Sequence, residues 1–244
     1  MAFAAMADRR PIQGAVATLG VSQRVAFLRR TYAHLGAAVV VWAVATALFM
    51  KSDLSLEYLA WVSNRPLHMI LVLVGFLVAG WAARSMAMHG SSKAIQYAGL
   101  GLEIAAFTLL TQPALWYAYF YSKSTADFNE LVMMAALVTG LIFVGLTLTV
   151  FITKKDFSFL RGILMVATFA ILGVAIASMI FGFQMGAIWF ALVIILMAGY
   201  ILYETSAIMR DFPPTYHVAA ALMLFASVAT LFIYVLRLLS SLRD

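Results

Sequence analysis

From Gly162 to Tyr203 the chain runs for 42 residues without a single Asp, Glu, Lys or Arg. As one helix this run would be roughly twice as long as the ~30 Å hydrocarbon layer of a bilayer is thick. The chain must therefore turn inside it. GFQMG, Gly182 to Gly186, is where glycine permits a turn at low steric cost. A run this apolar and this long has no place in a soluble domain, so the class of fold is decided here before any motif is sought.

Five more apolar segments of about 17–22 residues accompany the two halves of that run, each near the length that crosses a membrane. The seven expected spans are Tyr32–Met50, Leu67–Ala83, Ala94–Leu110, Leu131–Ile152, Gly162–Phe181, Ala187–Met209 and Val218–Leu236. The third runs on past Pro113 into WYAYFY, Trp116 to Tyr121, an aromatic cluster of the kind found at membrane interfaces. Composition agrees: 65% of the 244 residues are hydrophobic and 11% charged, where a soluble domain is nearer half and a quarter. The expected fold is an all-α integral membrane bundle of seven helices (residues 31–244) preceded by a cytosolic N-terminal tail (residues 1–30). That tail has no uninterrupted apolar core of the secretory type and is expected to end in a short basic helix, Val21 to Arg30. No internal repeat or second domain is visible.

A net charge of +6 would suggest nucleic acid in a soluble chain. In a membrane protein it reflects Lys and Arg gathered in cytoplasmic loops, and no nucleic-acid partner is expected. With the N-terminus inside, the inner segments carry 11 Lys and Arg and the outer ones 5. The positive-inside rule then puts the C-terminus outside. Arg237 and Arg243 near the end leave open a re-entrant last helix with a cytoplasmic C-terminus.

The chain has no cysteine, which excludes disulfides and thiol chemistry. HExxH, GxSxG and a Walker lysine are missing. The four histidines, His34, His68, His89 and His217, sit near different span ends, so no shared metal site is expected. The seventh span has no lysine for a retinal Schiff base. The 14 methionines are scattered as packing residues rather than clustered as copper ligands. Neither an enzyme nor a cofactor is expected.

Two acids fall inside spans, and an intramembrane acid is a functional candidate by default. Glu103 lies mid-way along the third, in YAGLGLEIAAF, where Gly99 and Gly101 permit close approach of another helix. It serves either a functional site or a structural interhelical hydrogen bond. Glu204 lies towards the cytoplasmic end of the sixth. Left unpaired at mid-membrane, each costs roughly 2.5–3.5 kcal/mol on insertion scales. Counting outward from Pro214, Glu204 and Ser227 reach similar depth on the two arms of a hairpin, with Thr230 one turn beyond Ser227. Arg84, ending the second span, is the best-placed cation. The alternative is an interfacial Glu204 about six positions (~9 Å) from its helix end, reaching water.

Four segments carry a family resemblance: FLRRTYAHL before the first span, FITKKDFSFLRG (Phe151 to Gly162), YILYETSAI (Tyr200 to Ile208) and AALMLFASVATLFIYVLRLL (Ala220 to Leu239). From about Phe27 to Leu239 the chain resembles the Bax inhibitor family, in its bacterial, YccA-like branch. The resemblance implies a seventh helix surrounded by the other six, and a place in the bacterial inner membrane. It implies one of two roles, a pH-sensitive calcium leak or a relation to the membrane-bound FtsH protease as substrate or modulator. In calcium-leak members an aspartate of a YDT motif on the sixth helix pairs with one on the seventh, and an arginine on the second helix interacts with the pair. Here Glu204 stands at the YDT aspartate, Ser227 at the second aspartate and Thr230 at a frequent asparagine. The acidic pair is thus broken. The ion or proton site expected by resemblance comprises Glu204, Ser227, Thr230 and Arg84; Glu103, by its place inside the third span, is a secondary intramembrane acid.

Overall fold

The computed structural model describes residues 14–89 and 92–243. The first thirteen residues of the expected tail lie outside the described residues. Among the described residues eight α-helices follow a single 3-10 turn at Val16–Thr18: α1 (Val21–Met50), α2 (Asp53–Asn64), α3 (Pro66–His89), α4 (Lys93–Tyr121), α5 (Thr125–Thr153), α6 (Leu160–Phe181), α7 (Ala187–Asp211) and α8 (His217–Ser241). All except α2 are long and apolar enough to cross a membrane. The all-α, seven-span reading of the sequence is what the chain adopts.

Local chemistry sets the ends of these helices. Ser92 caps α4 by accepting from the Ile95 backbone N–H at 3.3 Å, and Ser124 caps α5 by accepting from Asp127 at 3.2 Å. Lys154 ends α5 in the left-handed region, φ 53°. Gly182 ends α6 at φ 74°, so the long uncharged run does turn at GFQMG. α7 stops at Asp211, just before the Pro213–Pro214 pair.

Two elements differ from the sequence reading. The basic segment Val21 to Arg30 is not a separate helix; it is the first third of α1, which runs unbroken for 30 residues. No breaker separates Arg30 from Thr31, so the helix propagates from the span into the basic segment. The sequence reading also overlooked α2. Twelve residues are too short to cross, and tertiary contacts hold α2 in place: Trp116 Nε1 donates to Ser55 Oγ (2.8 Å), and Ser55 Oγ donates to Gln112 Oε1 (3.1 Å). Gln112 in turn donates to the Thr46 carbonyl at 3.2 Å, tying α1, α2 and α4 beside Pro113, through which α4 continues.

The seventh span, α8, is the axis of the bundle. Of its most apolar 18-residue window 78% is buried, against 6% for α3 and α6. Ala219, Ala220, Ala221, Ala226 and Ala229 are buried along it, and small side chains let neighbouring backbones come close. Five of the other six spans touch α8, one fewer than the resemblance implies. The exception is α6, which packs on α7 and α3. Only Leu164 of α6 is buried, so α6 lies on the periphery and presents Val166, Phe169 and Ile180 outward. At the basic end, the backbone N–H of Val16 donates to the Phe212 carbonyl (3.0 Å) and Val16 is wholly buried. The segment before α1 is thereby docked against the α7–α8 turn.

Candidate functional site

Because α7 and α8 form an antiparallel hairpin on the bundle axis, side chains at matching depth face one another in its interior. Glu204 (4% exposed) and Ser227 (5% exposed) meet there. Ser227 Oγ donates to Glu204 Oε2 at 2.7 Å. Glu204 is therefore not an interfacial residue reaching for water. It is enclosed by protein, with one hydroxyl in contact. A carboxylate offers about four lone-pair sites and Ser227 fills one of them.

The remaining expected residues divide. Thr230 is on the same helix, but its hydroxyl donates to the Ala226 carbonyl (2.8 Å) and not to Glu204. A hydroxyl in a helix satisfies itself on the preceding turn whenever no better acceptor is near. Arg84 is exposed, and it makes no ion pair with either intramembrane acid.

Glu103 is 1% exposed, and its Oε2 has no hydrogen-bond partner. It sits against Gly80 of α3: a Cβ at that glycine would lie 3.6 Å and 3.8 Å from the two carboxyl oxygens. Arg84 is one turn beyond Gly80 on the same face. Of the two glycines expected to admit a neighbour, Gly99 does so. A Cβ there would stand 2.6 Å from the Ala83 carbonyl oxygen, whereas one at Gly101 meets nothing within 4 Å.

A second polar cluster, overlooked in the sequence reading, closes the basic end of α7. Asp156 in the α5–α6 loop accepts from the Ser158 backbone (2.8 Å) and hydroxyl (3.0 Å), and pairs with Arg210 of α7. Arg210 also grips Asp211 at 2.7 Å. Ser206 Oγ accepts from the Phe157 N–H at 3.2 Å. Thus FITKKDFSFLRG and YETSAIMRD, far apart in sequence, form one structure. The signal for it was the presence of Asp156 and Arg210 on the same expected side of the membrane.

The expectation that the histidines stay apart is corrected for one pair. His34 of α1 and His217 of α8 meet with ring centroids 5.0 Å apart. Both lie at the basic end, and the central position of α8 brings them together. Among the described residues no three His, Asp or Glu side chains converge to hold a metal ion.

Comparison with known proteins agrees with this architecture. The sequence profile described as "Inhibitor of apoptosis-promoting Bax1" matches residues 24–244. The chain is 28% identical over 234 residues to Bax inhibitor 1 of Schizosaccharomyces pombe, covering 94% of this chain and 81% of that one. It is 26% identical over 229 residues to protein lifeguard 4 of Mus musculus, covering 93% and 89%. An uncharacterised protein of Pseudomonas aeruginosa is 32% identical over 113 residues, 45% of this chain and 50% of its own. With a matching profile over nearly its whole length, and a seven-span bundle built around its last helix, the chain belongs to the Bax inhibitor family.

Proposed function

We propose that this protein is a proton-linked ion leak or sensor whose gate is the Glu204–Ser227 contact. The observation that carries the reading is the 2.7 Å hydrogen bond between the two, enclosed on the axis of the bundle. An ionisable group enclosed among membrane spans is expensive and marks ion or proton pathways. In this reading the conducting path runs beside the α7–α8 hairpin. A change of charge on Glu204 alters how strongly Ser227 holds it. This differs from two carboxylates sharing one proton, which titrate as a unit. Calcium takes 6–8 oxygens, usually with several acids, so one carboxyl and one hydroxyl make a transit point rather than a binding site.

Ion flux from proteoliposomes across pH 5–8 tests this. The native chain is expected to conduct in a pH-dependent manner, and Glu204→Gln to remove that dependence. Negligible, identical flux from both would overturn the reading.

A second reading is favoured by the loss of the second acid at Ser227: a non-conducting protein of the bacterial inner membrane that is a substrate or modulator of the FtsH protease. Its basic N-terminal tail would then be the contact. Crosslinking from the tail in native membranes should recover the protease, and recovery of none counts against it.

A further inference from the structure

The geometry points to an anion site at the basic end of the bundle, formed by Arg30 and His34 of α1, Lys93 and Tyr97 of α4, and His217 of α8, that takes a phosphate group. Arg30 and His34 are one helical turn apart, as are Lys93 and Tyr97, so each pair presents one face. Those faces meet: His34 Nε2 is 2.7 Å from the Tyr97 hydroxyl, and the two rings stack at 5.6 Å. His34 Nδ1 lies 2.7 Å from the Arg30 carbonyl. A carbonyl only accepts, so Nδ1 carries the hydrogen and Nε2 faces Tyr97. The edge of His217 closes the cluster from the third helix, 5.0 Å from His34.

Two further features suit an anion. The charged groups that bear on His217, whose ring also bonds the Pro214 backbone, are the cations Arg30 and Lys93 and the neighbouring His34. Lys93 and His217 are also the first residues of α4 and α8, and no side chain caps α8. Two long helices thus direct the positive ends of their dipoles towards this corner. None of these residues belongs to the Glu204 site. At a membrane face, phosphate comes from a lipid headgroup or from solution, and the chemistry of recognition is shared.

The test uses the full chain in uncharged detergent and in nanodiscs. Equilibrium dialysis with radiolabelled inorganic phosphate measures the soluble source. Native mass spectrometry after exchange into nanodiscs of phosphatidic acid with phosphatidylcholine measures lipid retention. Binding in at least one arm is expected, weakened about tenfold by Lys93→Gln and again by Arg30→Gln, the value of a charge-assisted hydrogen bond. Arg65→Gln, at the opposite end of the bundle, should bind as the native chain does. Retained lipid without phosphate binding identifies the headgroup as the source, and the reverse identifies a soluble anion. No binding in either arm, or binding that Lys93→Gln and Arg30→Gln leave unchanged, overturns the site.

Discussion

Ser227 supplies the hydrogen bond observed at Glu204 Oε2. Ser227→Ala leaves that oxygen enclosed without its donor. A buried polar group deprived of its partner costs about 1–3 kcal/mol. The thermal midpoint of the purified chain should therefore fall, while Thr230→Val should change it less, since Thr230 bonds only within its own helix. Equal losses from the two would mean that the Glu204 contact contributes nothing particular. The position of Ser227 opposite Glu204 was legible by counting along the hairpin. The hydroxyl of Thr230 was not, because choosing between a carboxyl and a carbonyl one turn away depends on rotamer and helix rotation.

At the scale of elements, helix approach and loop anchoring decide. Gly99→Ala would put a methyl group 2.6 Å from a backbone oxygen of α3, and backbone cannot turn aside as a side chain can. Gly101→Ala enters open space. The first should lower thermal stability by about 1–3 kcal/mol through forced separation of α3 and α4, and the second should leave it near native. Both glycines looked alike in the sequence; only helix rotation distinguishes them. The Asp156–Arg210 pair belongs to the same scale. Arg210→Gln removes the cation that ties the α5–α6 loop to α7. Limited trypsin digestion should then cut faster after Lys154 and Lys155 than in the native chain. An unchanged rate would show that the Ser206–Phe157 bond suffices.

For the whole molecule the question is sidedness. Arg243 meets Asp127 at 2.5 Å, which puts the end of the chain beside the start of α5. α8 is a single helix of 25 residues, about 37 Å long, enough to cross rather than re-enter. The chain has no cysteine, so single substitutions report cleanly. With the charge bias directing the basic end inward, Lys155→Cys should label from the cytoplasm, and Lys123→Cys and Leu242→Cys from outside. Labelling of positions 155 and 242 from the same side would contradict a fully crossing α8.

The sequence by itself determined the number of spans, the turn at Gly182 and the register of Glu204 against Ser227 along the hairpin. Hydropathy, glycine conformation and the 1.5 Å rise are properties of a chain read locally. What only the tertiary structure decided depends on how helices rotate and which of them meet. The meeting of His34 with His217, the coupling of Asp156 to Arg210, the exclusion of α6 from the axis and the docking of Val16 are of this kind. In a bilayer the apolar faces of all seven spans are equally at home in lipid, so hydropathy carries no preference among neighbours. The choice falls to close packing of small residues and to a few polar contacts.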